Sequence, residues 1–169
     1  MIGDCSADVV SSTVPCSKKW MVGTVNSLFI GIIATAIATA LGTMAALGLS
    51  RPHMPYKALI MSILISPMIV PLIITAAGMF FFYARINLVY TFTGVILAHV
   101  ALATPFVVIT VTATLVGFDM NMVKAAQSLG ARPIRTFFKV IMPLILPGII
   151  SGALFAFITS FDEVVIVMF

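Results

Sequence analysis

The stretch Asp119–Pro147, DMNMVKAAQSLGARPIRTFFKVIMPLILP, decides how this chain is organised. It is a polar interruption between two long apolar runs, and it predicts a short helix, a glycine stop and a second short helix. Asp119 or Asn121 can cap the first helix, because a short side-chain oxygen accepts a free backbone N–H. Gly130 favours the positive φ that ends a helix, and Pro133 suits the first turn of the next one.

Both short helices are predicted to carry apolar faces. In the first helix, apolar residues recur every three positions, at Val123, Ala126 and Leu129. In the second helix, the i, i+3, i+4, i+7 pattern of one amphipathic face is formed by Ile134, Phe137, Phe138 and Ile141. Basic residues lie on another face of that helix, at Arg132, Arg135 and Lys139. Two prolines, Pro143 and Pro147, then limit how regularly the helix continues.

The composition indicates an integral membrane protein. Hydrophobic residues make up 62% of the 169 residues and charged residues only 8%, with a mean hydropathy of +1.23. A soluble domain carries about 25% charged residues. The net charge of +4 lies in loops, where it sets orientation, so we expect no nucleic-acid partner. The sequence has no Walker A motif, no metal-binding Cys/His spacing and no Ser-His-Asp arrangement, so we predict no enzyme activity, catalytic residue, metal or cofactor.

We predict an all-α membrane protein with about four transmembrane helices. The apolar runs lie at about residues 21–49, 58–83, 91–116 and 144–169. Each exceeds the ~20 residues that a helix needs to cross a bilayer. A polar segment, defined as residues 118–143, separates the third run from the fourth, and a polar N-terminal region occupies 1–19. Cys5 and Cys16 in that region are expected to be unpaired thiols, with a disulfide as the alternative if the region faces an oxidising compartment. Gly42 and Ala46 are candidates for a close helix contact, with lipid-facing small residues as the alternative.

Five residues within the apolar runs are candidates for a solute pathway. Pro67 and Pro71 predict a kink or a broken turn, which lines a pathway or merely bends a structural helix. His99 is costly near mid-span unless it is paired, and a hydrogen bond to a neighbouring helix is the alternative to a transport role. Asp162 and Glu163 lie roughly 22 to 24 Å beyond Pro147 along a helix. They face water, a cation or a partner, or else the helix has reached the interface.

The basic residues predict the orientation of the chain in the membrane. With four spans and the polar segment inside, six basic residues are cytoplasmic: Arg51, Lys57, Lys124, Arg132, Arg135 and Lys139. Three are outside: Lys18, Lys19 and Arg85. This distribution satisfies the positive-inside rule.

The polar segment resembles the EAA loop of ABC-transporter permeases, the membrane subunits of binding-protein-dependent importers. Ala125, Ala126, Gly130 and Pro143 match the family pattern in register, whereas Lys124 stands at the position of the family's glutamate. The resemblance extends from about Asn26 to Phe169. The Ser160–Val165 run, SFDEVV, resembles the spermidine/putrescine branch in particular. Family members usually have one more span on each side, so the chain is expected to be a truncated permease.

The resemblance implies a function and a set of partners. The chain would form half of the pathway for a small cationic solute such as spermidine or putrescine, in the inner (plasma) membrane. Its partners would be a second permease subunit in a heterodimer, two cytoplasmic ATPases, an extracytoplasmic solute-binding protein and membrane lipid. Lys124, Ala125, Ala126, Gly130 and Pro143 would couple it to the ATPase.

Three alternatives to this function stay open at the level of sequence. The polar segment is also compatible with an amphipathic helix that lies on lipid headgroups. The chain is also compatible with a non-transporting membrane scaffold or an inert permease fragment. The same fold would equally import another solute, such as iron, an opine or an anion.

Overall fold

The computed structural model describes residues 16–51, 54–117 and 121–163, with side chains described from Met21 onward. Within those ranges the chain is helical and contains no strand. The elements are α1 (Cys16–Leu49), α2 (Lys57–Ile69), α3 (Leu72–Arg85), α4 (Phe92–Val116), α5 (Asn121–Ser128), α6 (Pro133–Thr136), a π-helical turn (Phe137–Ile141) and α7 (Met142–Asp162). Cys5, Asp119, the stretch 164–169 and the side chain of Cys16 lie outside this description.

Three helices form the centre of the molecule, with α4 between α1 and α7. Their described core consists of small and β-branched side chains, among them Ala38 on α1, Val107 on α4 and Ala156 on α7. Gly42 faces Val107 whereas residues near Asn26 face Val95, so α1 and α4 run in the same direction. Gly148 faces Thr114 whereas Ser160 contacts His99, so α7 runs antiparallel to α4.

Small residues allow these helices to approach closely. On α7, one buried row repeats every four residues: Gly148, Gly152, Ala156 and Ser160. On α1, Gly42 and Ala46 are both buried, so the close contact predicted for this pair is present. Close backbone approach is the usual basis of helix association in lipid, where burying apolar surface gives little advantage.

Outward-facing surfaces are apolar, as a membrane environment requires. Among the described residues, α1 from Met21 to Leu49, α4, and the continuous stretch Pro133–Asp162 are each long and apolar enough to span a bilayer. Large side chains such as Ile32, Phe81 and Leu154 are exposed on the bundle exterior. The all-α membrane fold predicted from composition is therefore confirmed.

α1 begins earlier than its apolar run. It starts at Cys16, inside the region 1–19 that the sequence assigned to a polar N-terminal segment. No proline or glycine lies between Cys16 and Trp20, so nothing in the sequence stops the helix there.

The second apolar run is broken rather than merely kinked. α2 and α3 are bent by 102° at a break of two residues, Val70 and Pro71. Val70 is extended, with φ −73° and ψ 135°, because the ring of a following proline disfavours the helical conformation. Pro67 stays inside α2. The sequence correctly indicated a broken turn, but the single run over 58–83 is two helices.

The polar segment also differs from its prediction at its second helix. α6 passes through the π-helical turn directly into α7, and the Met142 N–H donates to the carbonyl of Phe137, five residues back. The chain therefore passes Pro143 and Pro147 without a break, and the boundary expected at 143/144 is absent. α7 ends at Asp162, before the predicted end of the fourth run. On the apolar face predicted for this helix, Ile134 and Phe138 are exposed, whereas Phe137 and Ile141 are half-buried.

The seam between α7 and α4 yields a test of the fold. A methyl group at position 152 would lie 2.5 Å from Oγ1 of Thr110 and 3.0 Å from the backbone Cα of Val107. We expect Gly152→Ala to lower the free energy of unfolding by about 1–3 kcal/mol, as overpacking does. The measurement is denaturant unfolding in mixed micelles, followed by far-UV circular dichroism.

Gly78→Ala is the matched control, because a methyl group at position 78 of α3 meets nothing within 4 Å. It is expected to leave stability unchanged or to raise it by up to about 1 kcal/mol, since alanine favours helix more than glycine. Equal stability changes in the two variants would contradict the close packing of α7 on α4.

Candidate functional site

A polar cavity of about 420 Å³ lies at the end of the bundle away from the polar segment. Three helices and one turn contribute to its walls: Asn26 and Ser27 from α1, His99 from α4, Ser160 and Glu163 from α7, and Tyr90 and Thr91 from the turn before α4. The sequence predicts no such convergence directly, because these residues are separated by up to 137 positions. The antiparallel arrangement of α4 and α7 brings them together.

His99 is the buried polar centre of this cavity. Its side chain is 3% exposed, and its Nδ1 lies 2.9 Å from Oγ of Ser160. Its Nε2 is buried and has no hydrogen-bond partner among the described residues. The hydrogen bond to a neighbouring helix that the sequence offered as one explanation of His99 is therefore present. This hydrogen bond provides a partner for Nδ1 of His99 but leaves Nε2 without one among the described residues.

The two acids at the end of α7 lie in different surroundings. Asp162, the last helical residue, is exposed and does not line the cavity. Glu163 is extended and half-buried, it lines the cavity, and its Oε1 is buried without a hydrogen-bond partner among the described residues. The helix therefore ends between the two carboxylates. The sequence treated them as one pair, and the structure separates them.

Pro67 and Pro71 are not part of this site. Pro71 lies at the α2–α3 break and Pro67 lies inside α2, and neither contributes to the described wall of the cavity. Val70 and Pro71 at that break are exposed, as is Ile69 before it. The structure thus joins His99 and Glu163 from the predicted pathway set and leaves the two prolines apart from them.

A second candidate site lies at the opposite end of the bundle, in the polar segment. α5 ends in a Schellman motif: the Ala131 N–H donates to the carbonyl of Ala126 at 3.1 Å, and the Gly130 N–H to that of Gln127 at 2.9 Å. Gly130 has φ +79°, the left-handed conformation that its position in this motif requires. The predicted glycine stop is therefore present.

The surface of α5 and the turn after it is open. Lys124 and Ala125 are exposed, Ala126 is half-buried, and Leu129 is 87% exposed. Leu129 therefore does not extend a buried stripe with Val123 and Ala126. Pro143 lies in the first turn of α7, so α6 and the π-helical turn separate it from α5 along the chain.

Tyr90 and Ser160 are among the cavity residues that the sequence does not mark as site candidates. Tyr90 has φ +60° at the cavity rim, a conformation unusual for a residue other than glycine, and no sequence signal marks it. The sequence marks Ser160 only as part of the SFDEVV run. Its orientation was nevertheless predictable, because it continues the four-residue repeat of Gly148, Gly152 and Ala156 that faces α4.

Comparison with known proteins identifies the class. Residues 22–169 match the family described as "Binding-protein-dependent transport system inner membrane component". The chain belongs to this family, whose members are ABC-transporter permeases of the type I fold.

Individual relatives include polyamine and sugar permeases. The spermidine/putrescine permease PotC of Haemophilus influenzae is 33% identical over 145 residues, which are 86% of this chain and 56% of that protein. PotC of Escherichia coli K12 is 31% identical over 85% of this chain and 54% of the relative. The trehalose permease SugB of Mycobacterium tuberculosis is 33% identical over 85% of this chain and 53% of that protein. The chain thus spans about half the length of the curated relatives that it matches.

The contact between His99 and Ser160 gives a stability prediction. Hydrogen bonds between membrane helices contribute about 0.6 kcal/mol on average and up to about 1.7 kcal/mol. We expect Ser160→Ala to lower the free energy of unfolding by about 0.5–1.5 kcal/mol, because the loss leaves Nδ1 of His99 buried without its partner. Denaturant unfolding in mixed micelles, followed by far-UV circular dichroism, measures this change in the free energy of unfolding.

Ser151→Ala, on the same helix, is the control. Its hydroxyl is exposed and only donates to the carbonyl of Pro147 at 2.9 Å, so removing it should change stability by less than about 0.5 kcal/mol. A loss at position 151 as large as that at position 160 would contradict an interhelical role for the His99–Ser160 bond.

Proposed function

We propose that the chain is a permease subunit of an ABC importer and that it forms half of the pathway for a small cationic solute such as spermidine or putrescine. The observation that carries the coupling part of this proposal is the geometry of the polar segment. An exposed helix, α5, is ended by Gly130 at the register of the family's EAA loop and is followed by a helix that runs without interruption to the opposite end of the bundle.

That continuous helix supplies a mechanical connection. Pro133–Asp162 comprises 30 residues, or ~45 Å at 1.5 Å per residue. A displacement of the polar segment by an attached ATPase would therefore move the far end of α7, where Ser160 and Glu163 line the cavity. Rigid-body rocking of such elements is a standard route to alternating access.

The proposed assembly contains the partners that the family resemblance implies. These are a second permease subunit in a heterodimer, two cytoplasmic ATPases and an extracytoplasmic solute-binding protein, around a chain that crosses the inner membrane several times. Lys124, Ala125, Ala126 and Gly130 would dock on the ATPase, with Pro143 at the base of the rigid helix. Lys124 is exposed, and its positive charge suits an acidic side chain on that ATPase.

A cationic solute is favoured over a sugar by the charge of the cavity. Glu163 is the only formally charged residue among its described walls. Relatives include PotC proteins, named for spermidine and putrescine, but also SugB, named for trehalose. Glu163 is half-buried, its Oε1 has no hydrogen-bond partner among the described residues, and an acid in such a position favours a cation. Asp162, His99, Pro67 and Pro71 complete the set of residues proposed for the pathway.

Co-purification with the cognate ATPase tests this function. We expect the chain, expressed with that ATPase, to retain it through affinity purification and to lose most of it on Gly130→Val. A left-handed conformation costs an L-residue roughly 1–2 kcal/mol, and a β-branched side chain is strained further there. A methyl group at position 130 would meet no neighbour within 4 Å, so the effect is conformational and not a clash.

Gly78→Val controls for the substitution itself, since position 78 is helical and equally open. It should leave the retained ATPase unchanged. Failure of the parent chain to retain any ATPase would favour the scaffold or inert-fragment alternatives, and retention by Gly130→Val would refute docking through this segment.

The proposed orientation yields a labelling prediction. With Cys5 and Cys16 replaced by serine, Tyr90→Cys should react with an impermeant maleimide on intact cells, because Tyr90 is 90% exposed at the outer end. Arg135→Cys, which is exposed in the polar segment, should react only after permeabilisation. The opposite pattern would invert the topology, and with it the placement of the ATPase.

A further inference from the structure

We propose that one exposed face of α6 and the π-helical turn is a docking surface for anionic phospholipids of the adjacent leaflet. We define this headgroup face by three basic and two apolar residues: Arg132, Arg135, Lys139, Ile134 and Phe138. The inference goes beyond the proposed function and needs no ATPase. Only the statement that this leaflet is the inner one rests on the proposed orientation.

Packing against the bundle fixes which side of this helical piece points outward. Thr136 is buried, with 3% of its surface exposed, and Phe137 lines the apolar groove between α1 and α7. All five members of the headgroup face are exposed, Ile134 to 74% and Phe138 to 62%. The described part of the chain therefore leaves this face uncovered.

The headgroup face combines an apolar row with a cationic row. Ile134 and Phe138 are four positions apart, and so are Arg135 and Lys139, which brings each pair to nearly the same side of the helix. Residues 121–141 contain no Asp or Glu, so no acid of this segment neutralises the cations. Apolar residues beside Lys and Arg are the pattern of helices that bind a membrane interface.

The length of the helix places this face at the depth of the lipid headgroups. Pro133–Asp162 is 30 residues, or ~45 Å at 1.5 Å per residue. The hydrocarbon core of a bilayer is roughly 30 Å thick, and about 40–45 Å with both headgroup regions. A helix of this length that crosses the bilayer near its normal therefore has its first turns in one headgroup layer.

The basic side chains can reach the phosphates from their positions on this helix. Arg135 lies ~3 Å and Lys139 ~9 Å beyond Pro133 along the axis. Side chains on a helix tilt toward its N-terminus, so Lys139 points back toward the headgroups. Its methylene stem can then lie along acyl chains while the ammonium group contacts phosphate.

The charge of the headgroup face selects an anionic lipid over a zwitterionic one. An Arg guanidinium binds two phosphate oxygens at once, and a Lys ammonium binds phosphate as a point charge. In a zwitterionic lipid, the cationic end of the headgroup offsets the charge of the phosphate. Each Lys or Arg near an anionic surface strengthens binding about fivefold, so three cations favour a lipid with net negative charge.

A protein partner fits this face less well. An ATPase lies in the aqueous phase, and the helix α5 with the turn after it offers that phase the exposed Lys124 and Leu129. The headgroup face instead belongs to the helix that enters the bilayer, so a soluble partner would have to displace lipid to reach Ile134 and Phe138. The two helices of the polar segment are thus assigned different partners.

Quenching by brominated lipids tests the docking surface in the full chain. Trp20→Phe removes the single tryptophan, and Phe138→Trp places a reporter on the headgroup face. The reporter chain is reconstituted in vesicles of phosphatidylglycerol and phosphatidylcholine, with bromine on the acyl chains of one lipid at a time. The two quenching curves give the lipid selectivity, which is the ratio of the binding constants of the two lipids at the tryptophan.

We expect a selectivity of at least about fivefold for phosphatidylglycerol at position 138. Leu154→Trp, placed in the same Trp20→Phe background, is the matched control, because Leu154 is exposed on the exterior of α7 and lies outside the headgroup face. Its selectivity should be about one, since no cation of the face is near it.

Substitutions then identify the cations responsible. Arg135→Gln together with Lys139→Gln should lower the selectivity at position 138 below about twofold, whereas Arg135→Lys keeps the charge and should retain most of it. Arg85→Gln, at the end of α3, controls for net charge and should change nothing. Lys124→Gln should also leave the selectivity unchanged, because α5 is not part of the face.

Salt gives a second test that needs no further substitution. At 1 M sodium chloride the Debye length falls to about 3 Å, so the attraction between exposed cations and anionic headgroups is largely screened. The selectivity at position 138 should then fall to about one, even if the double variant does not fold.

Four results would overturn the proposal. A selectivity near one at position 138 in low salt would show that the face does not select anionic lipid. A loss on Arg85→Gln as large as on the double variant would assign the effect to net charge. An equal loss on Lys124→Gln would mean that the whole polar segment lies on the headgroups.

The fourth result is weak quenching by both lipids at position 138 with normal quenching at position 154. It would show that protein covers the face, and in these vesicles that protein is a second copy of the chain. Because the vesicles contain no ATPase, failure of this proposal leaves the co-purification result, and hence the proposed importer function, to stand or fall separately.

Discussion

The close approach of α4 to α1 and α7 is the constraint on which the rest of the structure depends. In lipid, apolar surface gains little from being buried, so helices associate through close packing and interhelical polar contacts. The row Gly148, Gly152 and Ala156 on α7 lets its backbone reach Val107 and Thr110 on α4. Without that approach, His99 and Ser160 would be too far apart for the bond that joins the two helices at the end of the bundle away from the polar segment.

The π-helical turn allows the helix to continue through Pro143 and Pro147. A proline inside an α-helix removes one hydrogen bond and clashes with the carbonyl four residues back. Here the bond from the Met142 N–H to the Phe137 carbonyl widens the helix by one residue just before Pro143. The chain therefore stays helical from Pro133 to Asp162, so one continuous helical stretch joins the turn after α5 to the polar cavity.

The sequence was informative wherever one residue type dictates one conformation. Gly130 with positive φ, Pro133 in the first turn of α6 and the small pair Gly42 and Ala46 all follow from local chemistry, and all are observed. The family resemblance identified the class for the same reason, since it rests on glycine and proline spacing. Element length was less predictable: hydropathy cannot detect a 102° break in an apolar run.

What the sequence could not provide was side-chain convergence. His99 and Glu163 are separated by 64 positions, and only the antiparallel packing of α4 and α7 places them in one cavity. The π turn was equally hidden, because the sequence FFKVI carries no feature that distinguishes it from an α-helical turn. Ile134 and Phe138, which share one apolar face at a regular 3.6-residue period, are both exposed.

The separation of Asp162 from Glu163 follows from the way a helix ends. Successive residues of an α-helix point about 100° apart, because 3.6 residues complete a turn. Ser160 already faces α4, so Asp162, two residues later, points away from α4 and is exposed.

Glu163 lies three residues beyond Ser160. Had the helix continued, the side chain of Glu163 would have pointed to nearly the same side of the helix as Ser160. Because the backbone instead becomes extended at Glu163, with ψ 97°, its carboxylate enters the cavity from the end of the helix. Two adjacent acids thus acquire different surroundings: Asp162 is exposed, and Glu163 is half-buried in the wall of the cavity.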